Sequence, residues 1–129
     1  MTAGKRTVVV VEDDPEIRKL IRKFLEKLEL EVLEAGTGKA ALALLEAQVP
    51  ALVCLDLMLP ESSGYSICER IRADARLRDV PVLMISARAM PSDRAHAEEV
   101  GANAYLIKPI RFTSFQATVL ELLNPAPER

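Results

Sequence analysis

The chain has 129 residues, of which 50% are hydrophobic and only 4% aromatic, and its formal net charge is −2. This length suits one domain with a single full core, built here from aliphatic side chains. The near-neutral charge, without a basic stripe, argues against direct nucleic-acid binding. No apolar run approaches the length of a membrane span, and five apolar residues after the N-terminus are too few for a signal peptide. We therefore expect a cytoplasmic protein.

The first elements of the chain have clear strand and helix patterns. Residues 7–11 are a continuous β-branched run, which predicts a buried strand. Asp14 and Pro15 then offer a cap and a first turn for a helix that runs to about residue 28. The basic residues of this helix predict a solvated face: Arg18, Lys19, Arg22, Lys23 and Lys27.

The central strand is the apolar run 52–55, which ends abruptly in one acid, Asp56. Such a run is typical of a strand buried on both faces, and Asp56 is expected where that strand surfaces. Cys54 lies inside the run and is expected to be a small core residue; neither it nor Cys68 has the spacing of a zinc site or a disulfide framework.

The remaining elements continue the alternation of strands and helices. They are a strand over 30–35, a turn at 36–38, a helix around 40–45, a helix over about 65–73, a strand over 82–85, a helix between a Ser92 cap signal and Gly101, a strand over 104–107 and a helix over about 113–123. Five strands alternating with five helices predict an α/β fold with a doubly wound parallel sheet. Right-handed crossovers and one switch point give the strand order 2-1-3-4-5.

Polar residues stand where four of these strands end. Glu12 and Asp13 follow the first strand, Asp56 ends the third, Ser86 ends the fourth and Lys108 ends the fifth. Clustered carboxylates repel one another, and a divalent cation with a preference for oxygen ligands, Mg²⁺, would relieve that repulsion. A cation, a hydroxyl and an ammonium beside a central carboxylate can support phosphoryl transfer through an aspartyl phosphate.

These motifs closely resemble the receiver domain of two-component response regulators. The resemblance rests on four segments, in order: Val10-Val11-Glu12-Asp13-Asp14-Pro15, Leu55-Asp56-Leu57-Met58-Leu59-Pro60 with Gly64, Ile85-Ser86-Ala87, and Ile107-Lys108-Pro109. It implies the flavodoxin-like receiver fold over residues 1–124, with 125–129 as a tail or the start of a linker. It also implies phosphorylation by a histidine kinase or a histidine phosphotransfer protein, and control of a downstream protein target or output domain.

The resemblance assigns a role to each motif residue. Asp56 matches the phosphoacceptor, Ser86 the switch hydroxyl, Lys108 the phosphate-binding lysine and Tyr105 the switch aromatic. Glu12, Asp13, Asp56 and the backbone carbonyl of Met58 match the Mg²⁺ ligands. The Lys108–Pro109 bond is expected to be cis. The fourth helix, fifth strand and fifth helix match the output face, through which a homodimer is also conceivable.

Two positions of the resemblance concern the lifetime of the phosphorylated state. The residues two after the phosphoacceptor and two after the switch hydroxyl are Met58 and Arg88. Met cannot orient a water by hydrogen bonding, so we expect slow self-dephosphorylation. Whether Arg88 contacts the phosphoryl group or only water stays open.

Several alternative interpretations of these residues and of the function stay open. Asp14 can cap the helix or bind metal, Tyr105 can be an ordinary half-buried aromatic, and His96 is expected to face solvent. At the level of function, the alternatives are a phosphorylation-independent binding module, a phosphohydrolase with an aspartyl intermediate and a flavin-binding module. The acidic cluster disfavours the flavin phosphate, and Met58 stands where such hydrolases typically carry a second acid. We therefore expect a regulator rather than an enzyme with a turnover substrate.

Overall fold

The computed structural model describes residues 5–124, so the predicted tail at 125–129 lies outside the described residues. Within this range the elements are β1 (Thr7–Val11), α1 (Pro15–Lys27), β2 (Glu31–Ala35), α2 (Gly38–Ala47), β3 (Leu52–Asp56), β4 (Met58–Leu59), β5 (Ser62–Ser63), α3 (Gly64–Ala73), β6 (Val82–Ser86), α4 (Pro91–Glu99), β7 (Ala104–Ile107) and α5 (Phe112–Leu123). None of the helices in this part of the chain has the length and hydropathy needed to cross a bilayer.

The five predicted strands form one parallel sheet in the order β2-β1-β3-β6-β7. Because β6 and β7 are the fourth and fifth predicted strands, the predicted order 2-1-3-4-5 is confirmed. The register pairs Val11 with Leu55, Asp56 with Ile85, and Ser86 with Ile107. The carboxyl ends of β1, β3, β6 and β7 therefore meet at one edge of the sheet.

Alternate side chains of the buried strands pack into two hydrophobic cores, one on each face of the sheet. One core packs the sheet against α2, α3 and α4, and includes Val9, Val53, Leu45, Ile71 and Ala97. The other packs it against α1 and α5, and includes Val8, Val10, Leu25, Phe115 and Val119. Cys54 and Cys68 are both buried and free, as expected for core residues.

Two local features differ from the prediction. The helix α4 begins at Pro91 after an N-cap Met90 that makes no side-chain cap bond, so the Ser92 cap signal was wrong. Proline is favoured at the first helical position because its missing N–H needs no partner there, and Ser92 consequently lies inside the helix. The loop after β3 also forms a small antiparallel hairpin, β4-β5, which turns at Glu61 with a φ of 58°.

Candidate functional site

Three of the polar residues at the strand ends are buried and not exposed to solvent. Glu12, Asp56 and Ser86 are only 1%, 5% and 0% exposed, although the sequence suggested that Asp56 lies where its strand reaches solvent. A buried carboxylate is costly unless it is paired, so the partners of Glu12 and Asp56 decide how this edge of the sheet holds together.

Lys108 pairs with both buried carboxylates. Its Nζ atom lies 2.8 Å from Glu12 Oε1 and 3.1 Å from Asp56 Oδ2, and its side chain is 17% exposed. The backbone places it there, because the Lys108 N–H donates to the Ser86 carbonyl over 2.8 Å. The predicted cis bond between Lys108 and Pro109 is present.

The shared ammonium does not cancel the cost of burying two acids. Burial raises the pKa of Glu12 to about 7; Lys108 and the Asp14 N–H act to lower it, and the neighbouring Asp56 adds to the rise. For Lys108, burial acts to lower the pKa, but the carboxylates of Glu12 and Asp56 outweigh it and raise the pKa. The site therefore retains an excess of negative charge.

A third carboxylate makes this edge suitable for a divalent cation. Glu12, Asp13 and Asp56 each offer an oxygen, and these atoms lie within 4.8 Å of one another. Three carboxylates face one ammonium, and two of the three are buried, so a Mg²⁺ ion would supply the missing positive charge with the oxygen ligands that it prefers. The predicted metal-binding carboxylates are thus brought together.

Asp14, which follows Glu12 and Asp13, is the N-cap of α1. Its Oδ1 atom accepts from the N–H groups of Glu16, at 2.9 Å, and Ile17, at 3.4 Å. These bonds satisfy two of the free N–H groups at the start of α1. The capping interpretation of Asp14 is confirmed.

The loop after β3 is built closely around Asp56. The Met58 N–H donates to Asp56 Oδ1 over 3.1 Å, while the Met58 side chain is 58% exposed. Gly64 packs directly over the backbone of Asp56, where an added Cβ would lie 2.5 Å from the Asp56 carbonyl oxygen. A larger residue at position 64 would therefore displace the backbone that carries the central carboxylate.

Ser86, Arg88 and Tyr105 form a separate chain of hydrogen bonds beside the carboxylates. The Arg88 N–H donates to Ser86 Oγ over 3.1 Å, and the Tyr105 hydroxyl donates to the Arg88 carbonyl over 2.9 Å. Ser86 and Tyr105 are thus linked through the backbone of Arg88. Within residues 5–124, the side-chain bond found for Ser86 runs to Arg88 and not to Asp56.

Two arginines have contacts that the sequence patterns did not indicate. Arg18 was assigned to a solvated face, but its Nη1 atom donates to the Glu12 carbonyl over 2.8 Å and its Nε atom to Glu34 over 3.1 Å. Arg88 donates from Nε to Asp93 Oδ1 over 2.9 Å. None of these three partners could be chosen from helical spacing, since each bond leaves the segment that carries the arginine.

His96 is exposed, as predicted, but it is not free of contacts. Its ring stacks on Tyr65 with the ring centroids 3.8 Å apart. The Tyr65 hydroxyl donates to the backbone carbonyl of Asp93 over 3.1 Å. His96 therefore helps to hold α3 against the start of α4.

The raised pKa of Glu12 predicts a pH-dependent stability for the metal-free chain. The folded state binds the Glu12 proton more tightly than the unfolded state, so this contribution is full below about 4.5 and is lost as the pH rises through about 7. We expect the free energy of unfolding, measured with urea and a chelator, to fall across this interval. Glu12→Gln should flatten the slope, whereas the exposed control Glu121→Gln should keep it; equal slopes in wild type and Glu12→Gln would refute the assignment.

Comparison with known proteins places this geometry in a family. The model of the response regulator receiver domain matches residues 8–120. The DNA-binding dual master transcriptional regulator RpaA of Synechocystis is 37% identical over 117 residues, which cover 91% of this chain and 48% of that protein. The chain spans about half the length of the curated relatives it matches.

Solved structures agree with this match. A putative response regulator from Chloroflexus aurantiacus has a TM-score of 0.88 and 29% identity over 92% of this chain and 98% of its own. The receiver domain of a sensor histidine kinase from Pseudomonas aeruginosa has a TM-score of 0.85 and 29% identity over 92% of this chain and 98% of its own, and is described with a magnesium ion coordinated in its active site cleft. With the receiver model matching almost the whole described chain, the chain belongs to the response regulator receiver domain family of two-component signalling.

Proposed function

We propose that this chain is a phosphorylation-activated switch in which Asp56 accepts a phosphoryl group with the help of Mg²⁺. The observation that carries the proposal is the arrangement around Asp56. Oxygens of Glu12, Asp13 and Asp56 lie within 4.8 Å of one another, and the Lys108 ammonium lies 3.1 Å from Asp56 Oδ2. Residues 1–124 would form the receiver unit.

The phosphodonor would be a histidine kinase or a histidine phosphotransfer protein. A carboxylate oxygen of Asp56 attacks the phosphorus of the phosphohistidine, an O–P bond forms, and the N–P bond breaks with its electron pair returning to the imidazole. The Met58 N–H already donates to Asp56 Oδ1 and keeps the carboxylate oriented. Lys108 and the Ser86 hydroxyl would bind the phosphoryl oxygens.

Magnesium would be held by Glu12, Asp13, Asp56 and the backbone carbonyl of Met58. When bound, it supplies positive charge that stabilises the negatively charged phosphoryl group. The chain's own residues provide the rest: Lys108 compensates the charge of Asp56, and Gly64 leaves room for the backbone beneath the reacting carboxylate.

An exposed apolar patch beside Lys108 offers a surface for the phosphodonor. Ile17, Leu20, Pro109 and Ile110, together with Lys108, line a cavity of about 350 Å³, and Leu20 is 39% exposed. Exposed apolar groups grouped next to a reactive residue favour contact with another protein. A kinase or phosphotransfer protein docked here would meet the site from the side of α1 and of the β7–α5 loop.

The output would pass through Ser86 and Tyr105. Movement of Ser86 toward the phosphoryl group would take its hydroxyl from the Arg88 N–H, and Arg88 is the residue whose carbonyl binds the Tyr105 hydroxyl. The surface of α4, β7 and α5 would then shift between two packings. Because relatives are named transcriptional regulators, this face would control an output domain or partner protein, or form a homodimer.

The proposed switch would act in the cytoplasm. A reducing compartment is consistent with the two free, buried thiols of Cys54 and Cys68.

Incubation with Mg²⁺ and acetyl phosphate tests the phosphoacceptor directly. We expect intact-mass measurement to find one added phosphoryl group on the wild type and on the matched control Asp74→Asn. Asp56→Asn, or removal of Mg²⁺, should abolish the addition. If no variant gains mass and the wild type also fails to bind beryllofluoride, a stable phosphoryl mimic, phosphorylation is excluded and a phosphorylation-independent binding module becomes the better reading.

Met58 should make the phosphorylated state long-lived. Its thioether cannot orient an attacking water, so Met58→Asn should shorten the lifetime of the phosphoryl group by roughly tenfold, less than the ~10² of a full general base. Loss of the added mass over time provides the measurement. Val49→Asn, at an apolar residue that is 51% exposed between α2 and β3, is the control; an unchanged lifetime in Met58→Asn would contradict the prediction.

A further inference from the structure

Arg88 lies beside the loop that orients Asp56. Its side chain is 53% exposed, and its Nη1 atom is 3.9 Å from Met58 Sδ. The Met58 N–H donates to Asp56 Oδ1. The guanidinium is therefore next to the mouth of the site, on a long side chain that can change its direction.

The Arg88 guanidinium is paired with Asp93. Arg88 Nε donates to Asp93 Oδ1 over 2.9 Å, and Asp93 lies in the first turn of α4. Asp93 is only 6% exposed, and its Oδ2 atom has no hydrogen-bond partner within the described part of the chain. A buried carboxylate with a single polar side-chain partner depends strongly on that partner.

The backbone of Arg88 carries the link between Ser86 and Tyr105. Its N–H donates to Ser86 Oγ, and its carbonyl accepts from the Tyr105 hydroxyl. A movement of Ser86 toward Asp56 would remove one of these two anchors. Arg88 would then be free to move at the time when negative charge is added to the site.

We infer that Arg88 exchanges partners, binding Asp93 in the unphosphorylated chain and the phosphoryl oxygens once Asp56 is phosphorylated. This inference rests on the proposed function and extends it to Arg88 and Asp93. A phosphoryl group offers the guanidinium more charge and a bidentate geometry. Asp93, left without its partner while buried, makes the first turn of α4 repack.

The neighbouring contacts explain how that repacking would spread. The backbone carbonyl of Asp93 accepts from the Tyr65 hydroxyl, and Tyr65 stacks on His96 one turn further along α4. Arg94, the next residue, lies over the Tyr105 ring at 5.6 Å from its centroid. Release of Asp93 therefore disturbs these contacts of Tyr65 and Arg94.

The binding of beryllofluoride with Mg²⁺ tests the exchange without requiring any turnover. Asp93→Asn removes the competing charge, so we expect binding to be tighter by roughly 1.5-fold to fivefold, the range for a partly exposed ion pair. Arg88→Ala should weaken the binding of beryllofluoride. The double variant Arg88→Ala/Asp93→Asn should bind as weakly as Arg88→Ala alone. Arg76→Ala and Asp74→Asn, which separate another arginine–aspartate pair remote from the site, should match the wild type.

Hydrogen exchange of the amides of residues 92–95, measured with and without beryllofluoride, gives a second test, because a purely structural ion pair would not respond to that ligand. Exchange should rise when beryllofluoride binds the wild type, and Arg88→Ala should exchange faster even without it. The inference is overturned if Asp93→Asn binds beryllofluoride no more tightly than the wild type. It is also overturned if Asp93→Asn strengthens binding by the same factor in the Arg88→Ala background. Absence of binding in the wild type would instead refute the proposed phosphorylation itself.

Discussion

The paired contacts of Lys108 with Glu12 and Asp56 are the constraint on which this edge of the sheet depends. Both carboxylates are almost completely buried, and the lysine reaches them from the end of a different strand. Without that ammonium, two like charges would be buried side by side, an arrangement that proteins avoid. With it, the acids stay close, and the pKa of Glu12 is still raised because burial outweighs the compensation. This imbalance is what makes an added cation favourable.

The contacts on the two sides of Asp56 differ in character. On the side of β1 and α1 they involve the backbone, since Arg18 donates to the Glu12 carbonyl and Asp14 accepts from the Glu16 N–H at the start of α1. On the side of β6 and α4 they run through the half-exposed Arg88 to Ser86, Tyr105 and Asp93. The first contacts hold the segment of Glu12 and Asp13, whereas the second connect Ser86 to α4 and β7.

Much of the fold could be predicted because its signals are local. The β-branched run of β1, the Asp14-Pro15 start of α1 and the apolar run of β3 each determine one element through propensity and burial. The convergence of Glu12, Asp56, Ser86 and Lys108 then follows from the parallel sheet. Their catalytic and switching roles rest on the family resemblance and stay predictions.

Other features had no local signal. The bonds from Arg18 to Glu12 and from Arg88 to Asp93 depend on how helices and loops pack, and a charged helix face gives no indication of them. The start of α4 was misplaced because Pro91 competes with Ser92 for the same turn, and the β4-β5 hairpin is too short for any periodicity. Burial of Asp56 was also missed, because it depends on packing between segments that are distant in the sequence.

A crystal structure of the chain with Mg²⁺ and beryllofluoride would test the central role of Asp56 most directly. We expect beryllium bonded to an Asp56 carboxylate oxygen, Lys108 in contact with a fluoride, and the guanidinium of Arg88 moved from Asp93 toward the bound group. A structure under saturating ligand in which Asp56 carries nothing and Lys108 keeps its present contacts would contradict the phosphoacceptor role of this site.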